Sequence, residues 1–304
     1  HTVPQAEFDR VAAMFTTPDL SSHPAVAAEQ ANAELQQQTA ANPAFARWVQ
    51  RNVHAHANPA LRAVTLSFKR VGQAPGDATG DQLDALADLV DVFSAGEARV
   101  THDQNVMLPW VHASELFALW QKAKELGLAS TNVALLTDMI ACPGGDFCAL
   151  ANARSLPIAD AITARYQDLD ELDDIGEIDL HISGCINSCG HHHSGHIGIL
   201  GVDKDGKEWY QITLGGADGT NLSGPAQPGK IIGPSFSAAE VPGVIEALLA
   251  TYRDLREALP QEAAKAAHGQ KHENFIDTVR RVGIDPFKAA GNAVRHNAHA
   301  AVSA

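Results

Sequence analysis

All four cysteines of the chain stand in two short segments, "CPGGDFC" (Cys142 and Cys148) and "CINSC" (Cys185 and Cys189). Five residues lie between the first two thiols, three between the second two, and 36 residues separate the pairs. Four thiolates with none to spare suit a single soft-metal centre. A fold that builds such a centre must bring two loops from distant parts of the chain to one place. The five-residue gap is wider than a zinc knuckle, and neither gap matches the two-residue spacing of the ferredoxin run. Pro143, Gly144 and Gly145 are small or turn-forming and let backbone amides approach sulfur closely. The spacing favours an iron–sulfur cluster; a structural zinc site, or unrelated buried or disulfide-bonded pairs, are the alternatives. His191, His192, His193 and His196 follow at once. Three consecutive side chains cannot all face one metal from a strand or helix, so these histidines read as loop residues or internal hydrogen-bonding groups rather than ligands.

With 304 residues, the chain is long enough for one large or two modest domains. Hydrophobic residues make up 45% and charged residues 19%, the balance of a soluble globular protein. The net charge of −14 argues against a nucleic-acid binder or an anionic-membrane binder, which need excess Lys and Arg. No apolar run is long enough to cross a bilayer, and so few cysteines point to a cytoplasmic metal or redox role rather than a secreted disulfide scaffold. The opening "HTVPQAEFDR" is neither a signal nor a transit peptide and lacks an initiator Met, which reads as a fragment or a processed chain.

Along the chain, residues 1–58 read as a helical lead-in or linker, with a better apolar face only in "AFARWVQRNV". "RAVTLSFKR" alternates Val64, Leu66 and Phe68, a strand pattern. Thr79 and Gln82 form a capping box ahead of a helix carrying Leu83, Leu86, Leu89, Val90 and Phe93. "ARVTHDQNVMLPWV" supplies one or two strands. Ser114 is the expected cap of a helix with Leu116, Phe117, Leu119, Trp120 and Leu126, stopped by Gly127. The order strand–helix–strand–helix over 60–128 makes a compact α+β module. Further on, "EIDLHIS" is a strand, and "HIGILGVDKDGKEWYQITLGG" is a hairpin turning at Asp205–Gly206. Ser237 and Glu240 are the expected cap of a helix with Val244, Ile245, Leu248 and Leu249. Residues 254–272 read as a charged helical linker, "ENFIDTVRRVGIDPFKAA" as a short amphipathic segment, and the last residues as frayed.

"CPGGDFC" followed by "SGCINSCGHHHSGHIGILG" resembles the siroheme and iron–sulfur signature of the nitrite/sulfite reductase family. "RVTHDQN" resembles that family's short siroheme-lining motif. "TLGG" and "FIDTVRRVGIDPFK" are similar to its C-terminal half, in particular that of the bacterial assimilatory sulfite reductase haemoprotein. The resemblance spans roughly residues 45–290. It implies an α+β fold: a ferredoxin-like half-domain over 59–128, a mixed α/β siroheme and iron–sulfur domain over 129–255, and a helical extension over 256–304. It also implies that Cys142, Cys148, Cys185 and Cys189 bind a 4Fe-4S cluster, that Cys189 is the axial ligand of siroheme, and that Arg99, Thr101, Gln104, Asn105 and Asn187 contact the macrocycle. The activity implied is six-electron reduction of sulfite to sulfide, with electrons from a flavoprotein or ferredoxin. Nitrite reduction to ammonia is the alternative, and a cluster-bearing electron-transfer subunit without a substrate site is a second one. The family pattern usually carries an acidic residue where this chain has His196. The family is also about twice as long, so the basic groups that grip the oxyanion are expected in an N-terminal half absent here, and the fragment alone is expected to be inactive. Lys69, Arg70 and Arg154 read as surface charges rather than replacements for those groups.

Overall fold

The computed structural model describes residues 2–16, 18–21, 23–220, 223–260 and 271–302. Residues 261–270 of the expected charged linker lie outside them. The chain forms two α+β units, each around its own apolar core.

The first unit contains α1 (Gln5–Ala12), α2 (Ala28–Ala41), α3 (Pro43–Asn52), β1 (Val53–Ala55), β2 (Leu61–Leu66), α4 (Gly80–Phe93), β3 (Arg99–Val100), β4 (Val106–His112) and α5 (Leu116–Glu125). Its four strands pair antiparallel in the order β1-β2-β4-β3. Val64 and Leu66 of β2 are fully buried on the face covered by helices, as their alternation predicts. The Thr79–Gln82 capping box forms in both directions, at 3.2 and 3.0 Å. The buried stripe of α4 is Gln82, Leu86, Leu89, Val90 and Phe93, while Leu83 is half exposed on the other side.

Three features depart from the expected pattern. The lead-in is not all linker: α3, capped by Asn42, buries Phe45 and Trp48 completely, and Phe45 packs 5.1 Å from Phe117 and 5.3 Å from Trp120 between ring centroids. Ser114 does not cap α5; it sits inside a single 3₁₀ turn, and its own N–H is accepted by the ring of His112. Lys69 is not a surface charge. Its side chain is 2% exposed and its ammonium lies 3.0 Å from the Asp138 carboxylate, itself 7% exposed.

The second unit contains β5 (Ile140–Ala141), α6 (Leu156–Arg165), α7 (Leu169–Ile175), β6 (Leu180–Ser183), β7 (Ile197–Lys204), β8 (Lys207–Leu214), β9 (Lys230–Ile231), β10 (Phe236–Ser237), α8 (Val241–Leu255), α9 (Phe275–Val282) and α10 (Asp285–Val302). The sheet runs β10-β8-β7-β6-β5, with β9 alongside β8. Strands β5, β6 and β7 are parallel, and β7 and β8 form the hairpin. Asp205 and Gly206 both take positive φ, 56° and 73°, the twist a two-residue turn between right-twisted strands needs. Leu180, Ile182, Ile197, Ile199, Ile212 and Leu214 bury one sheet face against the helices. Ser237 and Glu240 meet just ahead of α8: the Glu240 carboxylate receives the Ser237 N–H and O–H, each at 2.7 Å, the back-bond of a capping box. The backbone stays helical to Val302, beyond the point where fraying was expected. Among the described residues, no helix is long and apolar enough to cross a membrane.

The two units meet through polar groups. Arg51 pairs with Asp173 at 2.8 Å, and Asn52 donates to Ser130 O at 3.1 Å. At the centre, the three Lys69 ammonium protons have three acceptors: Asp103 O at 2.6 Å, Asp138 O at 3.2 Å and Asp138 Oδ1 at 3.0 Å. Removing one member of a buried ion pair strands the other's charge. Lys69→Met is therefore expected to destabilise the protein by about 3–5 kcal/mol, whereas Lys69→Met with Asp138→Leu costs less than the sum of the two single changes. Urea unfolding of the three variants checks this, and strict additivity would show that the pair does not act as a unit.

Candidate metal centre

Cys142 follows β5 directly, and Cys185 stands two residues beyond β6. These strands are parallel neighbours, with Ala141 opposite Ile182. Both cysteines thus emerge from the carboxyl ends of adjacent parallel strands, where open α/β sheets place their ligands. All four cysteines are free thiols; Cys142 and Cys185 are buried, Cys148 is half-buried and Cys189 is exposed.

The two loops interlock through glycine. Gly184 N–H donates to Cys142 Sγ at 3.1 Å, which ties the second loop to the first. Ser155 Oγ lies 3.5 Å from the same sulfur. A Cβ on Gly184 would lie 2.6 Å from Ala153 O and 2.7 Å from Gly144 Cα, so no larger residue fits without parting the loops. Gly184 O in turn accepts the N–H groups of Asn152 and Ala153. Sequence reasoning passed over Gly184 and Ser155. The adjoining "SG" before Cys185 was the available signal for the glycine; Ser155 had none.

Beyond Cys189 the chain lies flat on the open face of the sheet. Gly190 N–H donates to Ser183 Oγ at 3.1 Å, and Gly190 sits so close to Ile182 O that a Cβ would be 2.0 Å away. His181 donates from Nδ1 to His191 O at 3.0 Å. Ser188 and His191 on either side of Cys189 both hold positive φ, 57° and 54°, which non-glycine residues adopt only when surroundings impose it. Ser188 is held by His192 Nδ1 at 3.1 Å from its Oγ. His192 is 1% exposed, and burial, with His193 beside it, brings its pKa down to about 4. His191 and His193 are exposed.

His196 is fully buried. The Asp179 backbone N–H donates to its Nδ1 at 3.1 Å, so the ring proton is on Nε2, 3.0 Å from Ser223 Oγ. Ser223 passes its own proton to Asp179 Oδ2 at 3.0 Å. Burial holds the His196 pKa down to about 4, from an ordinary 6.5.

The "RVTHDQN" segment reaches the site differently from expectation. Gln104 donates from Nε2 to Ala141 O at 2.9 Å and accepts the Ala141 N–H at 3.0 Å, serving as a side-chain strand partner for β5 one residue before Cys142. Asn105 is 2% exposed and bonds Phe68 N and Asp138 Oδ1. Thr101 Oγ1 closes the loop onto the Asn105 backbone. These three side chains are turned onto the protein itself, so Gln104 and Asn105 act by placing β5 rather than by reaching outward. Arg99, paired with Glu97, and Asn187 are exposed.

Among the described residues, no three His, Cys, Asp or Glu side chains converge closely enough to hold a single metal ion. Four thiols carried by two interlocked loops, with Cys142 and Cys185 buried, Cys148 half-buried and Cys189 exposed, are the type of donor set an iron–sulfur cluster takes. Phe147, Leu150 and Ile186, in the same two loops, are 79%, 73% and 77% exposed.

Gly184→Ala should part the loops and lower iron and labile-sulfide content at least several-fold while leaving far-ultraviolet circular dichroism unchanged; full iron loading would remove the close approach from the argument. His196 makes a prediction about pH. Its folded pKa lies below its unfolded value, so between pH 6.5 and 4 only the unfolded chain takes up the proton. Its contribution is complete above pH 6.5 and declines as pH falls toward 4, by up to about 1.4 kcal/mol per pH unit. Urea midpoints at pH 7, 6 and 5 should therefore fall less steeply in His196→Gln than in the wild type.

The profile of the nitrite and sulphite reductase 4Fe-4S domain matches residues 133–295, and that of the nitrite/sulfite reductase ferredoxin-like half domain matches residues 65–126. The chain is 30% identical over 202 residues to the chloroplastic ferredoxin–nitrite reductase of Arabidopsis thaliana, covering 65% of this chain and 33% of the relative. It is 30% identical over 171 residues to sulfite reductase [ferredoxin] 1 of Mycolicibacterium paratuberculosis, covering 52% and 30%. The fold is that of the Mycobacterium tuberculosis NirA protein, at a TM-score of 0.58 and 23% identity over 78% of this chain and 41% of that one. The chain spans about a third of the length of these two curated relatives. With a 4Fe-4S domain profile over more than half its residues and a ferredoxin-like half domain before it, the chain belongs to the nitrite and sulfite reductase family.

Proposed function

We propose that Cys142, Cys148, Cys185 and Cys189 hold a 4Fe-4S cluster and that Cys189 also ligates siroheme, the two cofactors of this family. The observation that carries this reading is the graded exposure of the thiols: Cys142 and Cys185 are buried against the sheet, while Cys189 faces outward. A thiolate shared between a cluster and a second group must have one side free. Arg99 and Asn187 are the outward polar side chains proposed to meet the macrocycle, whose carboxylates call for such donors. Thr101, Gln104 and Asn105 hold the loop and strand that carry Cys142. When bound, the cluster and siroheme supply the electrons and the coordination position for an oxyanion. This chain's residues fix the thiolates, donate a hydrogen bond to one of them from Gly184, and keep water from the buried pair.

The proposed activity of the whole protein is six-electron reduction of sulfite to sulfide, with electrons from a ferredoxin or flavoprotein. Nitrite reduction to ammonia is the second reading, supported by the longer match to a plant nitrite reductase, 202 residues against 171 for the sulfite reductase at the same 30% identity. Cytoplasmic location is proposed with it.

The test is iron, labile-sulfide and optical analysis of the anaerobically purified protein, followed by reduced-viologen assays on sulfite and nitrite. Cys189→Ser is expected to abolish turnover and to alter the haem and cluster signals together. Loss of one signal with the other intact would rule out a shared thiolate. Intact cofactors in the wild type with neither substrate turned over would instead favour an electron-transfer subunit.

A further inference from the structure

A cavity of about 730 Å³ opens between the two units, and no cysteine lines it. Helix α6 separates the two places: Ser155, just before it, touches Cys142, whereas Thr163 and Tyr166 at its other end line the cavity. Ten helical residues put them about 15 Å apart.

The cavity's walls run against the character of the chain. The protein carries a net charge of −14, yet the lining holds Arg47, Lys69, Arg70 and Lys124 and no carboxylate. Lys69 is spent on Asp138, and Arg47 is held by Asp170 and Asp173. Arg70 and Lys124 have no carboxylate partner among the described residues. Arg70 is held by Gln73, and Lys124 lies 3.7 Å above the Trp120 ring. The apolar part of the wall is formed in part by Val71 and Leu169, both exposed. Tyr166 is 6% exposed, and its hydroxyl, which has no hydrogen-bond partner among the described residues and is not a buried atom, opens into the cavity. Burial also pushes its pKa up to about 12, which keeps it a neutral donor.

Two cations without carboxylate partners, a hydroxyl open to the cavity and an apolar wall, in a cavity of ligand size between two units, have the composition of a small-molecule site. We propose that this inter-unit cavity binds a small organic anion with an apolar body. The anionic group sits between Arg70 and Lys124, the Tyr166 hydroxyl donates to a polar atom of the body, and the body packs on Val71 and Leu169. The site is separate from the metal centre and does not depend on which oxyanion the protein reduces.

The test is titration calorimetry of the purified protein with 8-anilinonaphthalene-1-sulfonate, an aromatic anion. One molecule is expected to bind per chain. Arg70→Gln with Lys124→Gln should weaken it about tenfold or more, since two charged contacts are lost, and Tyr166→Phe should weaken it by a smaller factor. Arg70 and Lys124 are exposed, so an unchanged unfolding midpoint should accompany the loss. Uncharged N-phenyl-1-naphthylamine should bind distinctly more weakly than the sulfonate. The proposal is overturned by no binding to the wild type, by unchanged affinity in the double variant, by equal affinity for the uncharged analogue, or by loss of binding in Phe147→Ser, which would move the probe to the apolar rim of the cysteine loops.

Discussion

The buried ion pair of Lys69 and Asp138 is the constraint on which the placement of the metal centre depends. Two charges removed from water stay charged only where each has a full set of partners. Here the ammonium has three acceptors, and the carboxylate receives Asn105 Nδ2 at 2.9 Å and Ala134 N at 2.9 Å as well as the lysine. These groups come from the end of β2, the "RVTHDQN" loop and the turn before β5. Satisfying them permits one mutual arrangement of the three segments. Because β5 begins two residues after Asp138 and Cys142 directly follows β5, the arrangement also sets the first thiol. Such a pair adds little net stability over apolar packing; its effect is on which structure forms.

From that anchor the rest of the centre follows by sheet geometry. Parallel pairing of β5 with β6 fixes where Cys185 emerges relative to Cys142, and the Gly184–Gly144 approach locks the loops. The strand β6 presents Leu180 and Ile182 to the core and His181 and Ser183 to the other face, where they receive the chain after Cys189. The alternation of one strand therefore does two jobs, with the core holding it from one side and the cysteine loop lying on the other. Rigid backing of this kind lets the outer thiols face solvent while their backbone stays in strained conformations at Ser188 and His191.

What could be read from sequence and what could not divides along the range of the forces involved. The capping box at Thr79 and Gln82, the turn at Asp205–Gly206 and the stop at Gly127 are local, and their residues carry the whole signal. The cysteine pairs are legible because thiolate chemistry has few other uses at that density. Ser114 was misread since a capping signal is also satisfied by a 3₁₀ turn, and the choice was made by the ring of His112. Lys69 looked like surface charge because its partner stands 69 residues away. The "RVTHDQN" residues stand out as one segment, but the inward turn of Gln104 and Asn105 depends on β5 and Asp138, which no local pattern announces.

The same long-range logic accounts for His196, where the family resemblance suggests an acid. A carboxylate is still present at this spot, supplied by Asp179, whose Oδ2 is 3.4 Å from His196 Nε2 and receives the Ser223 proton. A second carboxylate at position 196 would set two negative charges side by side in a buried place, which forces one to hold a proton. A neutral imidazole avoids that. It accepts the Asp179 N–H on one nitrogen and donates from the other, so a single ring satisfies a backbone group and a hydroxyl that would otherwise be buried unpaired. The change is thus compatible with the fold because the histidine's two nitrogens play opposite parts, and its depressed pKa follows from its complete burial, with His181 nearby adding to it.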